Sequence, residues 1–388
     1  METRKLFYED SRMREFTATV VSCEQTDKGY AVILDATAFY PEGGGQACDI
    51  GNLNGDIYVT DVREKDGQIV HLCNKEVAPG TQVTGAINWW RRQDLMQQHT
   101  GEHIVSGIIH RMFGCHNVGF HVGGDVITID FDYPIPAEAL TQIENQANEA
   151  IYDDIPVKCW YPSPEELPKV GYRSKKEIPW PVRIVEIPGF DKCACCGVHV
   201  TSTAQIGIIK LLSIAKFHQG VRIEMVCGSR AFLLLRDVYE QNKLVSQAFS
   251  AKILETGAAA QKMNEALAAE KFRATGLERQ LYTHIAATFE NKGDVVYFAE
   301  NFSPAAVREL ADRIAQTCGG TAAVFSGSDD TGYTVCMVNK TTDISALGKE
   351  MNTKLNGRGG GKPGFFQGSV TATKSQIEAF FADYRATK

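Results

Sequence analysis

The chain lacks most of the features that would assign its class at a glance. Across 388 residues no apolar run approaches the roughly twenty residues that a membrane-spanning helix needs. The start, Met1-Glu2-Thr3-Arg4-Lys5, leads into no signal-like apolar stretch. With 40 Lys+Arg against 47 Asp+Glu the formal charge is −7, so the chain as a whole has no basic footprint for nucleic acid. No long-period repeat, the signature of a solenoid, is present. The 11 cysteines are odd in number and scattered, which excludes a disulfide framework. Their one cluster is Cys193, Cys195 and Cys196. This usage fits a reducing, cytoplasmic setting and a metal or reactive role for the cluster.

What is present is enough apolar sequence for sizeable cores, and a length that calls for two or three domains. Residues 1–90 read as a small β-barrel or sandwich. Phe16 to Cys23, Tyr30 to Asp35, Ile57 to Val62, Gln68 to Leu72 and Gln82 to Asn88 are short, partly alternating runs between turn residues. Residues 91–230 read as an α+β domain. Its best helix is Trp89 to Phe113, followed by a strand at Val126 to Phe131 and a helix at Pro136 to Asp153. Strands are expected at Val182 to Ile187, Ala204 to Ser213 and Val221 to Cys227. Residues 231–289 carry leucines at helical spacing and read as a helical spacer broken at Gly257, suited to a hairpin or a dimerising coil. Residues 290–388 read as a small α/β domain whose Gly357 to Pro363 stretch forms a loop. From Met351 onward six cations face two acids, a local net of +4. The fold class expected is therefore α+β multidomain: N-terminal barrel, α+β core, helical spacer and C-terminal α/β domain.

His99 and His103 stand four apart on the Trp89 helix, so one face presents both imidazoles. Alone that is weak evidence of a metal site. Cys195 and His199 repeat the spacing about ninety residues later, and the two pairs supply four ligands of the kinds that zinc accepts. Cys193, Cys195 and Cys196 are all candidate ligands, since Cys196 also gives a Cys-x-x-His spacing. Gly101, between the histidines, weakens the helix and is expected to clear room for a substrate. Phe39-Tyr40-Pro41-Glu42-Gly43-Gly44-Gly45-Gln46 is either a hairpin turn or a place where another group approaches the main chain.

Two other patterns compete. His99-x-x-Glu102-His103 matches the inverted zinc-peptidase motif, with Glu102 as general base and Glu165, Glu166 or Glu177 as the acidic third ligand. That reading leaves Cys195, His199 and the triple glycine without a role. A P-loop at Gly361-Lys362 is poor, because Pro363 stands where Ser or Thr is required.

Together, His99-Thr100-Gly101-Glu102-His103, Cys195-Cys196-Gly197-Val198-His199 and the Tyr-Pro-Glu-Gly-Gly-Gly-Gln stretch resemble the editing module of alanyl-tRNA synthetases. Gly357-Arg358-Gly359-Gly360-Gly361-Lys362-Pro363 resembles the signature of the DHHA1-type domain that ends those enzymes. No aminoacylation domain precedes the module, which points to the freestanding alanyl-tRNA editing proteins of AlaX type in their long form. Cys196 and Val198 depart from the Gly and Thr usual in the synthetases, and Phe365-Phe366-Gln367-Gly368 from their more polar run.

The resemblance implies a zinc-dependent aminoacyl-tRNA deacylase with one Zn2+ per chain, held by His99, His103, Cys195 and His199. It implies hydrolysis of Ser-tRNA(Ala), with Gly-tRNA(Ala) as a second substrate and Ala-tRNA(Ala) spared. Thr37, Gly43, Gly44, Gly45, Gln46, Thr100 and His121 are the candidate substrate contacts, and Glu102 is a candidate partner that orients an imidazole. Arg358, Gly359, Gly360, Gly361 and Lys362 are the candidate tRNA contacts. A homodimer through the spacer or the C-terminal region is expected, and no membrane partner. A zinc-stabilised RNA-binding protein without turnover is the remaining class.

Overall fold

Alternating apolar residues close the N-terminal strands into a barrel. The computed structural model describes residues 2–174 and 178–386. It divides into two compact units, residues 1–244 and 245–388.

In the first unit six antiparallel strands form the closed barrel, in the order Glu15–Thr26, Gly29–Leu34, Gln68–Cys73, Ile57–Lys65, Gly51–Leu53 and Gln82–Ile87. Their inward residues, Val20, Val32, Leu34, Val59, Val62, Ile69 and Val83 among them, fill its core. Each fully buried aliphatic side chain there contributes about 1.5–3 kcal/mol.

A helix of 25 residues, Trp89–Phe113, follows directly. Asn88 caps its start by accepting from the Arg91 amide at 3.1 Å. Gly114, at φ 69°, ends it in the left-handed conformation, its N–H bonded to the His110 carbonyl. The sequence predicts a single apolar face, yet Gln98 to Ile109 are all buried. A helix sunk on every side must satisfy each polar group it carries. Gln98 does so by bridging both backbone groups of Cys227.

Around this helix lies a four-stranded antiparallel sheet, Ile209–Phe217, Gly220–Cys227, Ile127–Phe131 and Asn117–Val122, with the helix Ala139–Tyr152. A small sheet of Lys158–Trp160, Ile184–Ile187 and Asp191–Ala194 carries the chain into the cysteine segment. The Ala139 helix starts three residues after Pro136, whose carbonyl accepts from the Ala139 amide.

Ala204 to Ser213 is not one strand. Thr203–Ile206 is a 3-10 turn ended by Gly207 at φ 87°, and the strand begins at Ile209. Gly101 does not make room for a substrate either. A Cβ there would lie 2.3 Å from Cys227 Sγ, so its missing side chain serves the packing of helix on sheet.

In the second unit a parallel pair, Gly293–Ala299 and Gly319–Ser328, continues antiparallel through Gly332–Val338 and Phe365–Val370 to an edge strand, Gly357–Lys362. Helices Pro304–Thr317, Ser345–Lys354 and Lys374–Ala386 accompany it. Two apolar clusters hold this unit together. The Gly-rich stretch expected as a loop is thus a strand. A Cβ at Gly361 would sit 1.9 Å from the Phe365 carbonyl, and one at Gly359 2.6 Å from that of Gln367. Glycine lets the edge lie that close to its neighbour.

The spacer is helical in two pieces, Gly228–Phe249 and Thr256–Ala287. The break falls at Ser250, φ 49°, and not at Gly257, which lies inside the second helix. Among the described residues no helix is long and apolar enough to cross a membrane.

Candidate functional site

His99 and His103 leave the buried helix one turn apart and face the segment that follows Asp191–Ala194. That segment is clamped from outside. Arg183 Nη1 donates to the carbonyls of Cys195 at 3.0 Å and Gly197 at 2.7 Å, and the Tyr8 hydroxyl donates to that of Cys196 at 2.6 Å. Gly197 must be glycine, since a Cβ would lie 2.2 Å from His99 Cε1. The result brings one ligand atom from each of His99, His103, Cys195 and His199 within 4.8 Å of the others. Cys195 Sγ stands 3.4 Å from His99 Nε2 and 3.5 Å from His199 Nε2. Of the three cysteines left open by the spacing, Cys195 is the one inside this group. Cys193 is buried in a neighbouring grouping with His103 and Asp191. The Cys196 sulfur is turned to the glycine loop, 2.8 Å from where a Gly44 Cβ would be.

Each imidazole is fixed through its far nitrogen. With the proton on Nδ1, His99 donates to Gln46 Oε1 at 2.8 Å, His103 to Asp191 Oδ2 at 2.7 Å and His199 to Thr100 Oγ1 at 3.1 Å. The three Nε2 atoms then converge, which is how second partners orient metal-binding histidines. Asp191 is itself held by Arg173 Nε at 2.8 Å. Burial pushes the Asp191 carboxyl up, but His103 and Arg173 together hold it below its ordinary value. Burial likewise raises the Cys195 thiol, yet the facing His99 and His103 pull it well below the usual thiol range. Burial lowers His103, but the Cys195 thiolate and Asp191 push it well above 6.5. Burial brings His199 down to about 3, so it is neutral. One soft thiolate and three oriented imidazoles form a donor set of the kind zinc takes, and these residues fit that ion.

A cavity of ≈ 510 Å³ opens on the group. Gly44 and Gly45, Phe120, Glu102, Arg173 and Cys196 are among its walls. The glycines are needed here. At φ 60° and 82° they take left-handed turns, and a Cβ on Gly45 would lie 2.6 Å from Phe120 Cδ1. A buried ion pair secures the loop from behind. Asp49 accepts from Arg92 of the Trp89–Phe113 helix at 3.0 Å and also from the Tyr40 amide, while the Asp49 amide donates to the Tyr40 carbonyl.

The remaining candidate contacts divide between the site and other parts of the fold. Gln46 and Thr100 sit behind the histidines, and Gly43 pairs with Gln46 through the backbone. Thr37 lies in the barrel, 2.9 Å from His71 Nε2, and does not line this cavity. Nor does His121, which points outward from its strand, one residue past Phe120, whose ring lies 4.9 Å from that of His99. Arg358 to Lys362 lie on the exposed edge strand of the second unit. Lys362 also borders a groove with Arg308 and Lys340.

Glu165 and Glu166 are exposed and outside the cavity, and Glu177 lies outside the described residues. Neither Glu165 nor Glu166 can therefore serve as the acidic third ligand of a peptidase site. Asp191, Arg173, Phe120 and Asn117 have no role that the sequence alone suggests. Asp191 stands at the head of the cysteine segment, and only its pairing across the fold reveals what it does.

Three family models match the chain. They are the tRNA synthetases class II (A) over residues 3–91, the threonyl and alanyl tRNA synthetase second additional domain over 182–224, and the DHHA1 domain over 291–387. The alanyl-tRNA editing protein Aarsd1 of Rattus norvegicus is 30% identical, across 98% of this chain and 97% of that protein. The alanyl-tRNA editing protein AlaX-L of Pyrococcus horikoshii is 28% identical, across 96% of each. The alanine–tRNA ligase of Thermofilum pendens is 32% identical over 96% of this chain, a match to 43% of the ligase. With its barrel, its His/Cys group and this full-length likeness, the chain belongs to the family of alanyl-tRNA editing proteins.

Proposed function

We propose that the chain is a trans-editing aminoacyl-tRNA deacylase, a carboxylic ester hydrolase that cleaves serine from mischarged Ser-tRNA(Ala) and accepts Gly-tRNA(Ala) as a second substrate. The observation that carries this reading is the group His99, His103, Cys195 and His199 at the floor of a cavity roofed by Gly44 and Gly45. One zinc ion per chain, held by those four residues, would polarise the ester or lower the pKa of a water. The chain's own residues do the rest. Gln46, Asp191 and Thr100 keep the imidazoles in register. Phe120 shields His99 from solvent, and the two glycines admit the aminoacyl end without a side chain in its way.

Selection of serine over alanine needs a polar group that only the serine hydroxyl satisfies. Gln46, a candidate for it, stands behind His99 and not among the cavity's walls, so its part is to hold that imidazole. The test is incubation of the purified chain with Ser-tRNA(Ala), Gly-tRNA(Ala) and Ala-tRNA(Ala), with and without a chelator. Loss of the first two, sparing of the third and chelator sensitivity are expected. Survival of Ser-tRNA(Ala) with RNA merely bound would leave a non-catalytic RNA-binding protein.

The organisation proposed with this function is a barrel at 1–90, the editing core at 91–230, the spacer at 231–289 and the tRNA-binding DHHA1 part at 290–388. Arg358, the three glycines and Lys362 would meet the phosphate backbone along the open strand edge. The spacer helices bear exposed Leu235, Val238 and Val245, and Met263, Leu267, Leu277 and Leu281, at near-heptad steps. These support a homodimer, which light scattering of the purified chain would detect.

A further inference from the structure

We infer that the Cys196 side chain sets the upper size of the amino-acid side chain that the cavity admits, which makes Cys196 a specificity residue that separates seryl from threonyl esters. This rests on the proposal that the substrate is an aminoacyl ester.

Cys196 is exposed and stands among the walls of the cavity. It follows Cys195, whose sulfur is in the four-residue group, so its backbone belongs to the floor. Its own sulfur reaches the roof. A Cβ on Gly44 would lie 2.8 Å from that sulfur, so no side chain fits between the two. The Tyr40 hydroxyl, which donates to the Gly43 carbonyl at 3.1 Å, is also a hydrogen-bond partner of the Cys196 side chain. Tyr40 itself is only 2% exposed. Behind the sulfur the main chain is tied down at three successive carbonyls, those of Cys195 and Gly197 by Arg183 and that of Cys196 by Tyr8. A residue anchored at both ends cannot swing aside, and Cys196 is therefore a fixed strut between floor and roof.

Substrate geometry supplies the second half. In an aminoacyl ester the side chain is one carbon away from the scissile carbonyl. With that carbonyl at the focus of the four residues, the side chain enters the space below the glycine loop. Cys196 bounds that space where floor meets roof. Among the other walls, Val118 and Ile178 are 62% and 45% exposed, which places them toward solvent, where they can yield. Gly44 and Gly45 have no side chain with which to set a limit. Serine differs from glycine by one hydroxymethyl group, and threonine adds one methyl to it. A fixed wall rejects that methyl by overlap, and one carbon in such a pocket separates substrates by about 10–200-fold.

The test measures kcat/KM for tRNA(Ala) charged with glycine, serine or threonine, on the full chain and on Cys196→Ala and Cys196→Val, with the zinc content and melting of each protein. In the unmodified chain the threonyl ester should be hydrolysed about tenfold or more less efficiently than the seryl ester. Cys196→Ala removes the sulfur, and the threonyl-to-seryl ratio should rise by about tenfold or more. Cys196→Val adds bulk at the strut, and the seryl-to-glycyl ratio should fall. A purely structural role would lower all three substrates in common and leave the ratios where they were. Unmoved ratios in Cys196→Ala with its zinc retained would therefore overturn the inference. Loss of zinc from that variant would make Cys196 a ligand and overturn it as well, as would equal hydrolysis of seryl and threonyl esters by the unmodified chain. If Cys196→Val does not fold, Cys196→Ala alone decides. If the unmodified chain hydrolyses none of the three esters, the deacylase reading itself falls.

Discussion

Three imidazoles and a thiol packed into a dry core must share charge with something. In this chain the sharing is already arranged. Asp191 and Cys195 favour a proton on His103, while burial strips His199 of one. A metal ion must therefore displace the His103 proton on binding, whereas the Cys195 sulfur is already inclined to be thiolate. Zinc affinity should fall as pH drops through the elevated His103 pKa. Asp191→Asn removes one of the partners that raise it. The acid loss should then move to lower pH, while above the His103 pKa, where no proton competes, affinity should fall by about 10–100-fold, the usual effect of losing such a partner. Titration against a competing chelator at several pH values checks both. Bound zinc should disappear in Cys195→Ala and persist in Cys196→Ala, because only the first sulfur approaches His99 and His199. Retained zinc in the Cys195 variant would move the ligand to a neighbour. The three histidines of this group can be read from their spacing, which leaves the cysteine open among Cys193, Cys195 and Cys196, and the partners that hold them cannot be read at all. Gln46, Thr100 and Asp191 meet the histidines from 53, 99 and 88 residues away, and no local pattern encodes such meetings.

The Trp89–Phe113 helix is the element on which these residues depend, and glycine sets how deeply it sinks. Gly101→Ala should raise helix propensity by about 1 kcal/mol. It should also drive a methyl group into Cys227, whose sulfur has no room to retreat in a fully buried site. Overpacking of that kind costs about 1–3 kcal/mol, so the variant should melt at a lower temperature, and a rise would refute the packing argument. The limits of this helix, Trp89 to Phe113, are legible because Asn88 and Gly114 punctuate a continuous run of helix formers. The barrel strands are legible by alternation. Two elements are not. Ala204 to Ser213 reads as a single apolar run, and the left-handed turn at Gly207 interrupts it. Gly357 to Lys362 has no strand propensity of its own. It is a strand because Phe365–Val370 offers it a partner through the turn at Gly364. Arg358 and Lys362 are the charges on this otherwise side-chain-free edge, and the proposed function puts them on RNA. Arg358→Ala with Lys362→Ala should weaken tRNA binding uniformly across sequences and reduce the salt slope by about two, read from binding at several salt concentrations.

At the scale of the molecule, the proposed chemistry and the proposed grip on tRNA fall in different units. The first unit holds the four-residue group, its cavity and two cores of its own. The second holds the open glycine edge, a groove bordered by Arg308, Lys340 and Lys362, and its own two clusters. Net charge hides this division, since −7 describes the whole chain and not the segment after Met351. A chain cut after Leu244 keeps every residue within reach of the ester and lacks the edge strand. Its kcat on Ser-tRNA(Ala) should stay near that of the full chain, while KM rises and becomes less sensitive to salt, because a smaller set of neutralised phosphates releases fewer counterions. A short seryl-ester substrate that carries only the acceptor end should be hydrolysed equally by both lengths, since the phosphates that the second unit would hold lie elsewhere on the tRNA. If the shortened chain instead has a reduced kcat on that small substrate while keeping its zinc and its fold, the second unit contributes to the chemistry itself, and the division of labour between the units fails.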